Sequence, residues 1–305
     1  MKKPDKVLLF YNPSSGNGFI KDSLDRVIKE FQKKNMFIMP IRADAHVDID
    51  NVLRRIKLTE YKKIIAAGGD GTVSSVVNAM MRNKLELPLA VFPAGTANDF
   101  AYCLDIPQRI EEMINIAIDD KTTAIDVGVA NERFFINVLA MGMIVDVSQK
   151  TDPGIKSTLG MISYYIRGFS ELPNLRPLRV RVKSEEFSGE ENIFFMLVMN
   201  GRSAGGFRRI APCAQINDGL LDVLLFKEMP IMEMAPLLIN VLTGQHHENK
   251  NVIFFQTGNL SLESDEAAAT DMDGETGDNL PLNISVMPKR INVITQRAEM
   301  IDLLW

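Results

Sequence analysis

Residues 64–80 constrain the fold more than any other part of the chain, because an apolar strand, a glycine-rich turn and a helix follow one another directly. Residues 64–67 are apolar, the turn at 68–72 reads Gly-Gly-Asp-Gly-Thr, and apolar residues then recur at i, i+3, i+4 and i+7 from Val73. This spacing predicts an amphipathic helix. A strand that passes through a short turn into a helix is typical of α/β proteins with a parallel sheet.

The turn at 68–72 also predicts a binding site for phosphate. Its three glycines allow the backbone to approach a ligand closely, and the N–H groups of the first helical turn favour an anion. Asp70 would repel that anion unless Mg²⁺ lay between them. The alternative is a tight strand-to-helix turn in which Asp70 or Thr72 caps the helix.

Two further strands lead into polar loops that contain glycine. Residues 7–11 precede Asn-Pro-Ser-Ser-Gly-Asn-Gly at 12–18, and residues 89–92 precede Pro-Ala-Gly-Thr-Ala-Asn-Asp-Phe at 93–100. The carboxyl ends of parallel strands line the crevice in which such sheets bind ligands. We therefore expect these loops and the turn at 68–72 to face one ligand.

The chain divides into an α/β half and a β-rich half. Strands and helices alternate up to residue 125, and the apolar face of residues 110–118 predicts the last helix of this half. After residue 126 the pattern is that of strands, with apolar and basic residues alternating over 178–183. We expect an α/β domain at 1–125 with 296–305 packing back on it, and a β-sandwich-like domain at 126–295. The second domain is predicted to contain strands at 193–199, 220–226, 251–256, 259–263, 282–287 and 291–295, and helices at 155–171 and 230–243.

Composition excludes several classes of protein. A chain of 305 residues is long enough for two domains, and its net charge of −5 argues against a general nucleic-acid binder. The two cysteines, Cys103 and Cys213, provide neither a metal-binding spacing nor a disulfide framework. The first strand begins too early for a signal peptide, and no run approaches the ~20 apolar residues of a membrane span. We expect a cytoplasmic protein that would meet a lipid from outside the membrane.

Six motifs occur in an order that resembles one family. They are the segments at 12–16, 68–72 and 93–101, then Asp-Val-Gly at 126–128, Asn-Asp-Gly-Leu-Leu-Asp at 217–222 and Asp-Gly-Glu at 273–275. This set resembles the diacylglycerol kinase catalytic-domain family of soluble bacterial lipid kinases, which is related to sphingosine kinases. The resemblance implies an NAD-kinase-like α/β domain with a parallel sheet and a β-sandwich-like lipid-binding domain. Gly-Gly-Asp-Gly-Thr alone also occurs in NAD kinases.

The resemblance implies a role for each motif. Asp70, Asp99 and Asp126 would hold Mg²⁺ during phosphoryl transfer from ATP, so Asp70 is also counted as catalytic. Glu275 would be the general base that takes the proton of a lipid hydroxyl, although many carboxylates surround it in the sequence. Further residues would surround the ATP phosphates, namely Asn12, Ser14, Ser15, Gly16, Gly68, Gly69, Gly71, Thr72, Ser75, Thr96 and Asn98.

A second Mg²⁺ site is implied at Gln215, Asp218 and Leu220. A carboxylate with carbonyl oxygens suits a hard cation. From the residues alone, Asn-Asp-Gly at 217–219 predicts a β-turn before a strand, and the two interpretations are compatible. His246 and His247 are interpreted as part of a polar helix end or loop and receive no role.

The chain departs from the family pattern at four positions. Ser74 and Ser75 stand where Asn or His and then Glu are usual, Asn17 replaces a frequent Lys, and Arg42 replaces a frequent Thr. Arg42 is a candidate to supply the missing positive charge. Because all the motif aspartates and Glu275 are present, the pattern predicts an active enzyme with a shifted specificity, and whether ATP is the preferred nucleotide stays open.

Basic residues in the second half are candidates for peripheral contact with an anionic membrane, although on a strand they are equally explained as solvated charges. They are Lys156, Arg167, Arg176, Arg179, Arg181, Lys183, Arg202, Arg208 and Arg209. The sequence therefore predicts an ATP-dependent lipid kinase, with diacylglycerol as the first substrate to test, acting in a cleft between the domains. An NAD kinase and a non-catalytic lipid- or nucleotide-binding regulator are the alternatives, and a homodimer stays open.

Overall fold

The computed structural model describes residues 3–44, 46–142 and 176–296. The chain forms two compact units, divided after Ile125 and again after Pro288. The first unit contains the described residues up to Ile125 and those from Lys289 onward, and the second unit is Asp126–Pro288. Residues 289–295 were predicted to lie in the second domain but belong to the first unit. The predicted helix at 155–171 lies outside the described residues.

The first unit is a parallel sheet with helices. Its sheet has the strand order β2-β1-β3-β4, and each neighbouring pair is parallel. A later strand, β15 (Leu282–Ile294), joins the free edge of β4 through parallel pairing of Val293 with Leu89. The elements are β1 (Asp5–Tyr11), α1 (Phe19–Lys33), β2 (Met36–Arg42), α2 (Ile49–Arg55), β3 (Tyr61–Gly68), α3 (Asp70–Arg82), β4 (Leu89–Pro93), α4 (Asp99–Cys103) and α5 (Ile110–Asp119), with short 3₁₀ helices at Ser15–Gly18 and Leu58–Glu60.

The core of this unit explains why local patterns predict it well. Residues 7–10 of β1 and 63–68 of β3 are buried, as expected for strands covered on both faces. On α1, Ile20, Val27 and Phe31 form the buried stripe, and α5 buries five apolar residues in the same core region. The helix predicted at 110–118 is therefore confirmed, and α3 confirms the one predicted from Val73.

The second unit is a set of antiparallel strands. Its main sheet has the order β14-β13-β7-β9-β8-β12-β15, while β10 pairs with β9 and β11, and β5 pairs with β6 and β15. The elements are β5 (Thr122–Ala130), which begins in the first unit, β6 (Arg133–Phe135), β7 (Val138–Gly142), β8 (Leu178–Ser184), β9 (Ser188–Met199), β10 (Leu221–Lys227), α6 (Ile231–Thr243), β11 (Val252–Thr257), β12 (Asn259–Glu263), β13 (Thr270–Met272) and β14 (Glu275–Thr276), with a 3₁₀ helix at His246–Glu248.

Strands β9 and β10 separate two apolar cores. Val198 and Val223 pack in one core, whereas Leu197 and Leu224 pack in the other. Because both faces of these strands are covered, residues 193–199 and 223–226 are continuous apolar runs rather than alternating ones. On β8, by contrast, the apolar residues are buried and Arg179 is exposed, so the predicted alternation is confirmed.

The second half departs from the sequence pattern in three places. Residues 282–294 form one strand, with Pro288 between the pairing of residues 282–285 with β12 and the pairing of Val293 with β4. The acidic stretch at 264–280 contains the β13–β14 hairpin. His246 is fully buried, with its Nε2 atom 2.6 Å from the carbonyl oxygen of Ile210, and burial lowers its pKa.

No helix in the described part of the chain has the length and apolarity to cross a membrane.

Candidate active site

The three glycine-containing loops of the first unit lie side by side. A Cβ atom on Gly95 would lie 2.6 Å from the Cα atom of Gly69, and one on Gly16 would lie 2.8 Å from the carbonyl oxygen of Ala94. Real Cβ atoms do not approach other atoms so closely, so glycine is required at both positions. Hydrogen bonds between neighbouring strand ends hold the loops in register, from Asn12 N to Ala67 O (2.9 Å) and from Ala94 N to Gly68 O (2.8 Å).

The first loop, at residues 12–18, is built from backbone conformations that most residues avoid. Gly16, Asn17 and Gly18 have φ values of 57°, 54° and 87°. Asparagine tolerates the left-handed region better than lysine does, which gives a physical reason for Asn17 in this loop. Upstream, the Asn12 side chain accepts a hydrogen bond from the Ser14 N–H at 2.9 Å, so it is already used to shape the loop.

The second loop, the glycine turn at 68–72, leaves one side open. A Cβ on Gly68 would collide with the Thr72 side chain, whereas a Cβ on Gly71 would meet nothing within 4 Å. Helix α3 begins directly after Gly69, and no side chain caps it. The alternative in which Asp70 or Thr72 caps this helix is therefore wrong.

Asp70 instead accepts hydrogen bonds from the start of another helix, α4. Its Oδ1 accepts from the N–H of Phe100 at 3.1 Å, and the N–H groups of Asp99 and Asn98 contribute in the same way. Burial raises the pKa of Asp70, and the neighbouring charge of Asp99 raises it further, while these backbone hydrogen bonds oppose the change. Asp99 is itself 5% exposed. The first unit thus brings two predicted metal ligands together in a partly buried, negatively charged position.

The third loop, at 93–100, is stabilised by Asn98. This residue has a left-handed backbone, its Oδ1 accepts from Gly95 N at 2.7 Å, and its Nδ2 donates to Gly95 O at 2.9 Å. Its amide therefore shapes the loop, while Thr96 at the tip is exposed. A direct nucleotide contact by Asn98 stays a prediction.

The positions that depart from the family pattern differ in their surroundings. Ser74 is buried and accepts hydrogen bonds from the Asn78 amide through its carbonyl and its Oγ. Ser75 is partly exposed, and its Oγ donates to Gly71 O at 2.8 Å. The Nε of Arg42 lies 3.2 Å from Asp44. Of these, Ser75 is the one attached to the glycine turn itself.

In the second unit, Asp126 contacts the turn of the second predicted cation site. Asp126 is fully buried, its Oδ2 accepts from Gly219 N at 2.6 Å, and its own N–H donates to Ile216 O at 2.8 Å. Asp218 Oδ1 accepts from Leu220 N at 2.9 Å, which forms the turn expected before β10. Partial burial raises the pKa of Asp218, and the charge of Asp126 adds to this. The two predicted metal sets, treated separately in the sequence, are therefore linked here. Gln215 is exposed.

The Asp-Gly-Glu motif forms a turn whose three carboxylates have different environments. Asp273 has a left-handed backbone and accepts three backbone N–H groups, from Ile136 (2.8 Å), Asn137 (3.0 Å) and Val138 (3.0 Å). Asp271 accepts from Gly274 N at 2.8 Å. Glu275 is exposed at the start of β14. Asp271 and Asp273 therefore build the turn, whereas Glu275 is exposed on it. The sequence alone could not distinguish Glu275 from these neighbouring carboxylates.

Sequence reasoning gave no role to Asp222. This residue is 1% exposed on β10, and burial raises its pKa to about 7. One of its oxygens accepts from Gln256 at 3.2 Å, and the other is buried with no hydrogen-bond partner in the described part of the chain. A signal was present, because Asp222 interrupts the apolar run at 220–226.

Two features of the described residues bear on the predicted metal and membrane contacts. Within the described ranges, no three His, Cys, Asp or Glu side chains are grouped so that they could hold a metal by themselves. Any ion at Asp70 and Asp99, or at Asp126 and Asp218, therefore needs other oxygen donors. On β8, Arg179 pairs with Glu190 and Arg181 pairs with Asp265. These pairs favour the explanation of that strand as a solvated face.

The matches to known protein families cover nearly the whole chain. Residues 6–130 match the family described as "Diacylglycerol kinase catalytic domain", and residues 137–295 match "YegS C-terminal NAD kinase beta sandwich-like domain". Diacylglycerol kinase of Staphylococcus haemolyticus is 31% identical over 303 residues, which is 97% of this chain and 89% of that protein. Diacylglycerol kinase of Bacillus subtilis is 30% identical over 302 residues, with coverage of 97% and 99%.

A solved structure shows the same likeness. The crystal structure of a diacylglycerol kinase from Bacillus anthracis str. Sterne superimposes with a TM-score of 0.80 at 25% identity, covering 98% of this chain and 99% of that one. The first unit is the α/β part and the second unit is the β-rich part of this architecture. The predicted fold class is therefore confirmed. The chain belongs to the diacylglycerol kinase family, a family of lipid kinases.

Proposed function

We propose that this chain transfers the γ-phosphoryl group of ATP to a lipid hydroxyl, with diacylglycerol as the first substrate to test. The observation that carries the proposal is the contact between the three glycine loops of the first unit, with Asp99 buried and Asp70 half-buried beside them. Open backbone at Gly71 and the uncapped start of α3 suit a phosphate. The names of the relatives support a lipid as the acceptor.

The carboxylate set suits Mg²⁺. The pKa of Asp70 is raised because its charge is buried and repelled by Asp99, and a divalent cation would relieve both costs. Asp70, Asp99 and Asp126 would hold the ion, with backbone or water oxygens completing the shell, as hard cations prefer. When bound, Mg²⁺ neutralises the charge that develops on the phosphate oxygens. Gln215, Asp218 and Leu220 would hold a second, structural ion.

Glu275 is the residue we assign to proton transfer. Its carboxylate would take the proton from the lipid hydroxyl as that oxygen bonds to the γ-phosphorus and the bond to the β-phosphate oxygen breaks. ADP then leaves with the electron pair, and the phosphorylated lipid carries the new ester bond. Asp273 and Asp271 hold the turn that presents Glu275. The exposed position of Glu275 suits a group that must reach a substrate.

The proposal is tested by incubating the purified protein with γ-labelled ATP and Mg²⁺ against a panel of diacylglycerol, sphingosine, monoacylglycerol and NAD. Label in a lipid, with diacylglycerol highest, supports the proposal. Label in NAD alone would identify an NAD kinase, the activity named in the description matched by residues 137–295. Saturable binding of ATP or lipid with no labelled product would identify a non-catalytic regulator.

A vesicle assay separates the membrane contact from the chemistry. Sedimentation with phosphatidylglycerol vesicles and with phosphatidylcholine vesicles measures whether anionic lipid is preferred. We propose peripheral binding to the anionic surface. Equal binding to both vesicle types would contradict a role for the basic residues.

A further inference from the structure

Asn200 is a buried asparagine that none of the sequence motifs includes. It follows β9 directly and is 1% exposed. Its Nδ2 donates two hydrogen bonds, to the carbonyl oxygen of Asp126 at 3.0 Å and to that of Ile136 at 2.9 Å. All three residues belong to the second unit. One side chain therefore joins two backbone segments that are separate in the sequence.

Both segments hold residues to which we assign a function. The first is the backbone of Asp126 itself, whose carboxylate contacts Gly219. The second is the link between β6 and β7, where Ile136 both accepts from Asn200 and donates its N–H to Asp273. Asp273 builds the turn that carries Glu275. Asn200 thus lies one hydrogen bond from Asp126 and two from the Glu275 turn.

The chemistry of the contact requires an amide. Two carbonyl oxygens need two donors, and the Nδ2 group of asparagine supplies both from one atom. A serine would supply one donor, a leucine none, and an aspartate would place negative charge against both carbonyls. The Oδ1 of Asn200 is buried without a hydrogen-bond partner in the described ranges. A buried acceptor without a partner costs stability, so this residue is not explained by packing alone.

We propose that Asn200 is a positioning residue for phosphoryl transfer, which fixes the backbone of Asp126 relative to the segment that holds Asp273 and the Glu275 turn. The inference rests on the proposed functions of Asp126 and Glu275. It adds a link within the second unit that acts on both the metal-binding carboxylate and the base.

The first test measures hydrogen exchange in the free protein. Asn200→Leu has a similar shape but no donors, so the N–H groups of Ile136, Asn137 and Val138 should exchange faster than in the parent. Thr257→Val is the matched control, because Thr257 is also buried in the second unit and donates one hydrogen bond to the carbonyl of Asn259. In this control the three amides should exchange at the parent rate. Unchanged exchange in a folded Asn200→Leu protein would overturn the inference.

The second test is kinetic. We expect Asn200→Leu to lower kcat by ~10- to 100-fold, the usual range for residues that orient catalytic groups, and Asn200→Ser to give a smaller loss because one donor remains. In the double variant with Glu275→Gln, the two losses should multiply only in part, since Asn200 acts both through that turn and through Asp126. A folded Asn200→Leu protein with parent kcat, or losses that multiply fully, would overturn the inference.

The inference can still be tested if Asn200→Leu does not fold or if the parent has no lipid kinase activity. If Asn200→Leu does not fold, Asn200→Ser undergoes both measurements, with the same expected directions and the same contradicting results. If the parent phosphorylates no lipid, the proposed function fails, whereas the exchange rates still decide whether Asn200 holds the segment at 136–138.

Discussion

The two units build their parts of the candidate site in different ways. In the first unit the site consists of short loops that directly follow parallel strands, and Gly69, Gly95 and Gly16 allow their backbones to touch. In the second unit the site depends on side chains that bond backbone far away in the sequence, as Asp273 does with residues 136–138. The first design is local and the second is not. Substitutions should therefore act near their own loop in the first unit and at a distance in the second.

Asp273→Ala should have the largest effect on stability, because it leaves three buried or half-buried N–H groups without their acceptor. Hydrogen bonds to a charged group are worth ~1.5–3 kcal/mol each and are not fully additive, so we expect a loss of roughly 3–5 kcal/mol in the free energy of unfolding. Urea denaturation measures it. Asp278→Ala, in the same segment, is the control and should resemble the parent.

A loss for Asp273→Ala as small as that for Asp278→Ala would contradict the long-range design of the second unit. Loss of lipid phosphorylation with unchanged stability would show instead that Asp273 acts on the substrate rather than on the turn.

Asp70→Asn should abolish most turnover and yet stabilise the metal-free protein. The folded pKa of Asp70 is raised above its unfolded value by burial and by Asp99, so its ionised form costs stability at every pH above the folded pKa, and the cost disappears as the pH falls below the unfolded value. Turnover should fall by about 10²- to 10³-fold, as when other preorganised electrostatic groups are lost. Lipid phosphorylation with Mg²⁺ measures the first effect, and thermal unfolding in EDTA at pH 8 and at successively lower pH measures the second.

Asp70→Asn retains an oxygen that can accept from Phe100, so the loop itself should be unchanged. A variant that is less stable than the parent at pH 8, or that keeps parent turnover, would contradict the metal role.

Gly95→Ala should destabilise the first unit, because the added Cβ would lie 2.6 Å from the Gly69 Cα. We expect a loss of ~1–3 kcal/mol, typical of overpacking. Gly71→Ala is the matched control, since its Cβ meets nothing within 4 Å. Chemical denaturation of both variants measures the difference, and equal stability of the two would mean that the loops do not touch as described.

Lys63→Met tests a buried charge away from the glycine loops. Lys63 is 1% exposed on β3, bonds Asp120 and the Ala117 carbonyl, and has a pKa lowered to about 8 by burial. Its charged form is therefore disfavoured in the folded protein below pH 8, and the parent should gain stability as the pH rises from 8 to about 10.5. The expected gain relative to Lys63→Met is about 1–2 kcal/mol. Parallel pH profiles would contradict it.

The contrast between the units also explains what the sequence could reveal. Helices α1, α3 and α5 and the loops after β1, β3 and β4 follow from apolar spacing and glycines within short windows. The partners of Asp273 and Asn200 lie tens to more than a hundred positions away. No local pattern encodes such pairs. Asp70 illustrates the limit, because its position was predicted but its hydrogen bonds to α4 were not.

The same limit accounts for two features of the second unit that the sequence did not show. The residues around His246 are polar in sequence, yet the ring is buried and stacks on Phe226 at 6.0 Å between centroids. Likewise, the β13–β14 hairpin is too short and too acidic to give a strand pattern, and it forms through pairing with β7. Tertiary packing decided both elements.

The most direct test of catalysis by this chain compares Glu275→Gln with Glu266→Gln, an exposed carboxylate of the same segment. Transfer from γ-labelled ATP to diacylglycerol and calorimetric ATP binding are measured for both variants and the parent. We expect Glu275→Gln to lower kcat by ~10²- to 10⁴-fold, the range for loss of a general base, with ATP affinity unchanged. Glu266→Gln should match the parent. Parent turnover in Glu275→Gln would contradict the assignment of the base and, with it, the catalytic role of the second unit.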